Sequence, residues 1–460
     1  MNIRSVLVAN RGEIAVRIIR AAKALGLRTV QVYSRADAES LPVQLADEAI
    51  EIGPPAAKKS YLNIEAVLAA AKAADVDAVH PGYGFLAENA DFADAVTAAG
   101  MKFVGPSGEA IRLLGDKVMA RQVAEKAGVP TVPGSNGRVS DLAEATAIAA
   151  RIGFPVMLKA AAGGGGRGIR MADSVEVFER QFPQASAEAA AAFGDGGLYI
   201  EKLIERARHI EVQILGDGEN FVHCFERECS LQRRRQKVWE EAPAVGLPDN
   251  IRERLCASAV ALARAVRYSG AGTVEYLYDD ATQQFYFIEV NTRIQVEHPV
   301  TEMITGLDLV QEMLRIAGGE NLSVRQEDIR IKGHSIECRI NAEDPLRNFM
   351  PWPGTVETLS VPNGGGIRFD TLLFPGYAVP PFYDSLLGKL IVHDDDRAAC
   401  LDKLRDALDR LAITGIPTTI PLHSALVADP HVRAGRTHTR FLEHWLDTDF
   451  AALTRAKEEA

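Results

Sequence analysis

The sequence has few cysteines, no long apolar run and no excess of positive charge, and each absence excludes a class of protein. Its five cysteines are odd in number and form no Cys-x-x-Cys pair, so we expect reduced thiols, with neither a disulfide framework nor a zinc site. No apolar run approaches a membrane span and no signal peptide precedes the first strand, so we expect a cytoplasmic protein without a membrane partner. The net charge of −11 argues against nucleic acid as the main partner.

Length and composition predict a soluble globular protein of two or three domains, because 460 residues exceed one ordinary core and 47% are hydrophobic. Near the N-terminus, strands at residues 5–9 and 29–33 flank a helix at 13–25, which predicts a parallel, doubly wound α/β sheet. The first turn reads Asn10-Arg11-Gly12-Glu13 rather than Gly-x-Gly-x-x-Gly, so a dinucleotide site is not supported there. From about residue 333 the pattern changes to an α+β region with short antiparallel strands, including residues 335–341 and 354–359.

The stretch 287–299 is the most informative part of the chain. Read as a strand with a period of two, it places five polar side chains on one face: Glu289, Asn291, Arg293, Gln295 and Glu297. A solvated edge strand would carry Lys, Thr and Ser there. This face instead presents carboxylates, amides and one guanidinium, which points to a binding site.

A predicted hairpin brings a second acid to this stretch. Residues 272–278 and 284–289 are rich in β-forming side chains, and the loop at 279–283 would place Glu275 opposite Glu289. Like charges across an antiparallel pair are destabilising, so a divalent cation would offset them. Carboxylates with an amide oxygen nearby suit Mg²⁺ or Mn²⁺. The alternative is a surface strand pair with unrelated acids.

Four consecutive glycines at residues 163–166 follow a strand that ends near Lys159. Such a loop can bend over an anion with its N–H groups exposed, and Lys159 could reach phosphates beneath it. The Gly-Lys-Ser/Thr of a P-loop is missing. The alternative is a flexible linker, which seldom separates a buried strand from a charged one.

Two further segments leave their alternatives open. Residues 198–204 form a strand followed by a break, a connector whose backbone can bind a flat base, and His209 and Glu211 beyond it could face a nucleotide or solvent. Residues 226–237 are the only dense basic run in an acidic chain. That run is either a solvated face or a local field for a small anion.

Taken together, the motifs resemble those of ATP-grasp enzymes, and specifically the biotin carboxylase component of biotin-dependent carboxylases. The resemblance rests on residues 9–15 (Ala-Asn-Arg-Gly-Glu-Ile-Ala), 80–86 (His-Pro-Gly-Tyr-Gly-Phe-Leu), the glycine loop and residues 289–298, in that order. It implies a Rossmann-like pre-ATP-grasp domain at 1–116, an ATP-grasp core at 117–330 with a mobile lid at about 131–203, a C-terminal domain at 331–446 and a tail at 447–460.

The resemblance also implies roles for individual residues. Contacts to ATP fall to Lys117, Lys159, Gly164, Gly165, Gly166, Glu201, Lys202, Leu203, His209, Gln232, Leu277, Glu275 and Glu289. The metal ligands would be Glu275, Glu289 and Asn291. Bicarbonate would be bound by Arg293, Gln295, Val296 and Lys237, and biotin by Tyr83 and Arg339. The catalytic residues would be Glu297 as general base, with Arg339, Arg293 and Lys237.

The implied reaction is ATP-dependent carboxylation of biotin through carboxyphosphate, with ATP, Mg²⁺ or Mn²⁺ and bicarbonate as cofactors and substrates. No Ala/Val-Met-Lys-Met biotinylation site is present, since Met101-Lys102-Phe103 does not match it. The biotin would therefore arrive on a separate carrier protein. Carboxyltransferase subunits and a second copy of the chain would be the other partners, in an acyl-CoA carboxylase with acetyl-CoA as the favoured acceptor, or in a pyruvate carboxylase.

One departure from the family pattern lies at Arg235, where many relatives have His, and it puts a histidine contact to the nucleotide in doubt. Ala161 and Ala162 at the start of the glycine loop are a second, milder departure. The alternatives are another ATP-grasp ligase, which has no need of Arg339, and a non-catalytic subunit, which would have lost Lys159, Glu289 or Glu297.

Overall fold

The computed structural model describes residues 2–135, 137–160 and 169–452. Contacts divide the chain into two compact units. The first comprises Met1–Val129, Arg208–Tyr276 and Glu289–Ala460, and the second Pro130–Ala207 and Leu277–Ile288. The glycine loop at 163–166 lies outside the described residues.

The described strands, in chain order, are β1 (Ser5–Val8), β2 (Arg28–Ser34), β3 (Glu48–Gly53), β4 (Ala78–His80), β5 (Lys102–Phe103), β6 (Val156–Ala160), β7 (Ile169–Ala172), β8 (Leu198–Lys202), β9 (Ala207–Asp217), β10 (Phe221–Arg233), β11 (Gln236–Ala242), β12 (Ser269–Asp279), β13 (Gln284–Asn291), β14 (His334–Asn341), β15 (Glu343–Asp344), β16 (Met350–Pro351), β17 (Leu359–Ser360), β18 (Ile367–Thr371), β19 (Leu386–Asp394) and β20 (Ala412–Ile413).

The described α-helices are α1 (Gly12–Ala24), α2 (Leu41–Leu45), α3 (Ile64–Ala73), α4 (Ala90–Ala98), α5 (Gly108–Gly115), α6 (Lys117–Lys126), α7 (Leu142–Ile152), α8 (Val175–Phe193), α9 (Asp249–Ala265), α10 (His298–Thr305), α11 (Leu309–Ala317), α12 (Arg397–Arg410), α13 (Ile420–Ala428), α14 (Pro430–Arg433) and α15 (Phe441–Trp445). A π-helical turn, Leu446–Phe450, follows α15.

The N-terminal strands form a five-stranded sheet in the order β3-β2-β1-β4-β5, and all its pairs are parallel. This confirms the predicted doubly wound sheet. Residues of the turn after β1 bond to other segments of the protein. Arg11 Nε lies 2.9 Å from a carboxylate oxygen of Asp37, and Asn10 donates to the Pro81 carbonyl at 2.7 Å. That turn therefore has a structural role.

The larger sheet of the first unit has eight strands in the order β13-β12-β9-β10-β11-β14-β19-β18, and β12 and β13 run on into residues 277–288. It reaches into the C-terminal region, where β14, β19 and β18 join it. The predicted strand at 354–359 is wrong. Only Leu359 lies in a strand, while the Val356 and Glu357 N–H groups bond to the loop carbonyls of Tyr377 and Thr414.

The second unit contains an antiparallel sheet in the order β7-β6-β8. Helices α7 and α8 cover it, and the apolar core between them includes Leu158, Phe178 and Ile200. Lys159 is the fourth residue of the five-residue strand β6, in which buried side chains alternate with half-buried ones.

All five cysteines are free and buried: Cys224, Cys229, Cys256, Cys338 and Cys400. Burial raises the pKa of each thiol, to about 12 for Cys224 and Cys400. In the part of the chain that the structure describes, no helix combines the length and the apolar character needed to cross a membrane.

Candidate active site

The stretch predicted as one strand over 287–299 changes structure at its midpoint. Strand β13 ends at Asn291, and helix α10 begins at His298 with Glu297 at its N-cap. Pro299 explains the change, because proline cannot donate to a sheet ladder but suits the first turn of a helix. The prediction that Arg293, Gln295 and Glu297 share a strand face is therefore wrong, although their functional groups still converge.

Lys237, near the start of β11, is the centre of this convergence. Its Nζ donates to three carboxylates, at 2.6 Å to Glu211, 2.9 Å to Glu275 and 2.5 Å to Glu297. Burial alone would lower the pKa of Lys237, but these acids raise it well above its usual value. The ammonium is therefore a permanent cation among residues from four segments of the chain.

Arg227 lies beneath this group on β10, and its side chain is fully buried. All of its donors are used, in bonds to Glu211 (2.7 Å), Gln213 (2.7 Å), Thr301 (3.0 Å), Thr273 (3.1 Å) and Gln295 (2.9 Å). The basic run at 226–237 is thus mostly strand, with only Arg234 and Arg235 in the turn between β10 and β11. The sequence carried no signal for this role, since Arg227 is one charged residue among many.

Arg339, on β14, holds the other side of Glu297. Its Nε donates to Glu240 at 2.6 Å, and its terminal nitrogen to Glu297 at 3.0 Å. Glu297 therefore lies between two cations, Lys237 and Arg339. Burial raises its pKa, but Lys237 and Arg339 outweigh this effect and lower it, so the carboxylate is ionised and able to take a proton.

The predicted metal ligands lie in the first unit, Glu275 within β12 and Glu289 and Asn291 in the last residues of β13. Burial and the charge of Glu275 raise the pKa of Glu289, whereas Lys237 and His209 lower that of Glu275 well below its usual value. Asn291 donates to Glu275 at 2.8 Å, so its amide oxygen is directed elsewhere, toward Arg293 at 3.1 Å. Two carboxylates with an amide side chain beside them are of the ligand type that suits a hard divalent cation.

Two other clusters of possible metal ligands occur among the described residues: His209 with Glu211 and Glu275, and Glu211 with Cys229 and Glu297. Both contain carboxylates already bonded to Lys237. The Lys237 ammonium therefore already supplies the positive charge in both clusters.

His209 is buried rather than solvated, which answers the question that alternation left open. Its Nε2 lies 3.3 Å from Glu275, and its Nδ1 lies 3.2 Å from the amide nitrogen of Gln232. Burial would lower its pKa, but Glu275 and Glu211 raise it to about 9. His209 and Gln232, both predicted ATP contacts, are thus adjacent.

The predicted bicarbonate residues differ in which of their hydrogen-bonding groups are already used within the protein. Gln295 uses its amide oxygen for Arg227 and its amide nitrogen for Glu275, at 3.0 Å. The Val296 carbonyl accepts a hydrogen bond from Lys389 at 2.7 Å. The N–H of Val296 is therefore the backbone group of this residue that could bind the anion. Arg293 is held by Glu88 at 2.8 Å and is partly exposed, so its guanidinium remains accessible to an anion.

Within the second unit, Lys159 is paired with Glu201 across β6 and β8. The N–H of Lys202 donates to the Pro133 carbonyl at 2.8 Å and that of Leu203 to the Pro155 carbonyl at 3.0 Å. A base bound by this segment would therefore use the carbonyl oxygens of those residues. Leu277 is half-buried on β12, and Gly164, Gly165 and Gly166 lie outside the described residues.

The remaining predicted residues lie in the first unit. Tyr83 donates its hydroxyl to buried Glu13, which also pairs with Lys389 at 3.2 Å. Lys117 is the first residue of α6, and its charge lowers the pKa of Glu289. Lys117 therefore acts electrostatically on one of the two predicted metal-binding acids.

Residues 116–325 match the family model "Carbamoyl-phosphate synthase L chain, ATP binding domain". With the carboxylates and cations around Glu297, this match defines an ATP-dependent ligase. Residues 2–111 match the N-terminal domain of biotin carboxylase and residues 337–444 its C-terminal domain. The chain belongs to the biotin carboxylase family.

Individual relatives agree with these models over nearly the whole chain. A biotin carboxylase of Nostoc sp. is 52% identical over 444 residues, 96% of this chain and 99% of the relative. A pyruvate carboxylase component of Methanothermobacter thermautotrophicus is 47% identical, covering 99% of this chain and 93% of the relative. The biotin carboxylase domain of the Hydrogenobacter thermophilus 2-oxoglutarate carboxylase, a dimer with MgADP and bicarbonate, is 48% identical with a TM-score of 0.87, covering 97% and 98%.

Proposed function

We propose that this chain carboxylates biotin on a separate carrier protein, using bicarbonate and MgATP, as the first half-reaction of an acyl-CoA carboxylase. The observation that carries the proposal is the position of Glu297 between Lys237 and Arg339. An ionised carboxylate held by two cations can take a proton from bicarbonate and leave the resulting charge stabilised.

The first chemical stage uses positioning and charge. Glu297 accepts the proton of bicarbonate, whose anion is held by the Arg293 guanidinium and the Val296 N–H. The bicarbonate oxygen then attacks the γ-phosphate of ATP to give carboxyphosphate and ADP. Lys237 and Arg339 keep Glu297 ionised before this step and close to the substrate during it. When bound, a divalent cation held by Glu275, Glu289 and Asn291 would neutralise charge on the phosphates.

The second stage transfers the carboxyl group. Carboxyphosphate releases CO₂ and phosphate, phosphate takes the ureido proton of biotin, and the nitrogen attacks CO₂. We propose that Arg339 stabilises the enolate form of biotin and that Tyr83 lies near the ring. Arg339 can do this because its guanidinium is already fixed by Glu240 and is partly accessible.

We propose the ATP contacts separately for each unit. In the first unit they are Lys117, His209, Gln232, Glu275 and Glu289. In the second they are Lys159, Glu201, Lys202, Leu203 and Leu277, with the glycine loop. The pairing of Lys159 with Glu201 supports this assignment, because a lysine already close to an acid can exchange it for a phosphate.

Domain boundaries at 116/117 and 330/331 are also proposed, with a lid at about 131–203. The family matches ending at 111 and 325 and the compact segment Pro130–Ala207 support them.

We further propose a biotin carboxyl carrier protein, carboxyltransferase subunits and a second copy of this chain as partners. The dimeric state of the Hydrogenobacter relative supports the last of these.

The test is ADP release from MgATP by the purified protein, with and without bicarbonate and with and without free biotin. Release should require bicarbonate and rise with biotin. In Glu297→Gln it should fall by about 10²- to 10⁴-fold, as expected for a lost general base. Glu327→Gln, at an exposed acid far from this chemistry in the sequence, is the matched control. Release that ignores both bicarbonate and biotin would overturn the proposal.

A second prediction concerns the metal. Glu289→Gln removes one charge from the proposed ligands, so the Mg²⁺ concentration for half-maximal ADP release should rise about tenfold or more. The folded state should persist, because Glu289 is half-exposed and its pKa is already raised by burial and by Glu275. A Mg²⁺ titration of wild type and variant checks this, and an unchanged midpoint would remove Glu289 from the metal site.

A further inference from the structure

Two buried glutamates lie beside Arg339, and the mechanism above uses only Glu240, as the residue that fixes this arginine. Glu240 on β11 and Glu337 on β14 are direct cross-strand partners in the antiparallel ladder, and neither side chain is exposed. Directly opposed side chains in such a pair have Cβ atoms about 4.5–5.5 Å apart. Two ionised carboxylates on such neighbouring side chains, away from water, would repel each other.

The hydrogen bonds of these acids are incomplete. Within the described part of the chain, both carboxylate oxygens of Glu337 and one of Glu240 are buried without a partner. The other oxygen of Glu240 accepts from Arg339 at 2.6 Å. An unsatisfied buried carboxylate is costly, and a proton turns one acceptor into a donor.

An apolar cluster lies on one side of the pair. Ala242 lies two residues beyond Glu240 on the same face of the sheet, and Ile391 is the ladder partner of Glu337 on the other side. These two residues pack against Val300 and Ile304 of α10 in one buried cluster. The helix therefore shields this face of the sheet from water, which favours the neutral form of an acid.

The charged and titratable groups around the pair come from every neighbouring element. Lys389 on β19 is engaged by Glu13 and the Val296 carbonyl, and Glu302 on α10 by Arg17 and Arg368. Burial raises the pKa of Glu337 well above its usual range, and that of Glu240 to about 7 despite Arg339. The other groups are Arg339, Glu297, Lys237, Cys229 and His298.

We propose that Glu240 and Glu337 share a single proton and act as one positioning pair, which holds the Arg339 guanidinium beside Glu297. With the proton on Glu337, Glu240 is ionised and anchors Arg339. The anchor lets Arg339 stay in place when Glu297 is protonated by bicarbonate and its charge is lost. When the pair takes a second proton, the charge on Glu240 disappears and Arg339 retains only Glu297. The role in turnover rests on the biotin carboxylase function proposed above.

The protonation of Glu337 can be tested without any activity. An acid whose folded pKa is raised loses stability as the pH rises from its unfolded pKa, near 4.5, toward the folded one. Glutamine cannot ionise and avoids this loss. The melting temperature of Glu337→Gln minus that of wild type should therefore increase steadily between about pH 5 and pH 8. A difference that stays flat or decreases with pH would overturn the shared proton.

The positioning role is tested with Glu240→Gln and Glu240→Asp. In wild type, biotin-dependent ADP release should fall as the pH drops through about 7. Glu240→Gln should lower its kcat about 10- to 100-fold with little change in the KM for ATP, and should remove this dependence on pH. Glu240→Asp, which keeps the charge, should recover part of the rate and the acid limb. A wild-type pH profile retained in Glu240→Gln would overturn the role of the pair.

The two experiments distinguish a failure of the Glu240–Glu337 proposal from a failure of the proposed biotin carboxylase function. If wild type releases no ADP in response to bicarbonate, the proposed function fails, whereas the melting difference still decides the protonation state of Glu337. Glu327→Gln, an exposed acid, should show no pH-dependent melting difference and serves as the control.

Discussion

Arg227→Met is expected to destabilise the protein by roughly 3–5 kcal/mol, because it removes one partner of a buried ion pair and leaves the other charged. Methionine has a similar length but no donor. Glu211 would lose its bond from Arg227, and the side chains of Gln213, Thr273, Thr301 and Gln295 would lose theirs. Urea unfolding of wild type and variant measures the effect as a lower midpoint.

The matched control is Arg325→Met. Arg325 is an exposed arginine in a surface ion pair with Glu327, and such pairs contribute only about 0–1 kcal/mol. If the two variants unfolded at the same urea concentration, the buried network around Arg227 would not stabilise the fold as its geometry indicates.

Lys237→Gln is expected to reduce bicarbonate-dependent ADP release by about 10²-fold or more. The ammonium is the shared partner of Glu211, Glu275 and Glu297, and glutamine supplies no positive charge. Without it, burial and the neighbouring acids would raise the pKa of Glu297. The base would then be protonated, and so inactive, over more of the working pH range.

The sign of the pH dependence separates this explanation from simple loss of binding. A raised pKa of Glu297 means that the residual rate of Lys237→Gln should keep increasing as the pH rises above about 7, where the wild-type rate no longer depends on Glu240 and is flat. A residual rate that falls with pH, or follows the wild-type profile, would show that Lys237 acts by some route other than holding Glu297 ionised. Initial rates of ADP release across pH 6–9 would decide.

The fold was predictable where local pattern and long-range pairing agree. The parallel N-terminal sheet followed from alternating strands and helices, and the glycine and proline positions marked the ends of its elements. The C-terminal region was harder to predict, because β14 pairs with β11, about a hundred residues earlier in the chain. Local periodicity carries no information about such partners, and it predicted a strand over 354–359 where a loop forms.

The structure brings several of the predicted site residues together, while the residues that support them were not predicted. Glu275 and Glu297 both accept hydrogen bonds from Lys237, and Glu297 also accepts one from Arg339. Arg227 and the Glu240–Glu337 pair were missed because their importance comes from complete burial, which depends on what packs over a strand. Gln295 was expected at bicarbonate, and its side-chain amide bonds to Arg227 and Glu275. The bicarbonate role of Gln295 stays a prediction.

The buried thiols have a practical consequence for spectroscopy. Thiol reagents attack the thiolate of accessible cysteines, and here all five cysteines are buried with raised pKa values. The native protein should therefore stay unlabelled by maleimide while folded. A single cysteine introduced on an exposed position of α8, such as Glu188→Cys, would carry a fluorophore at one defined site. Nucleotide binding could then be followed by fluorescence of this single label, without removing any native cysteine.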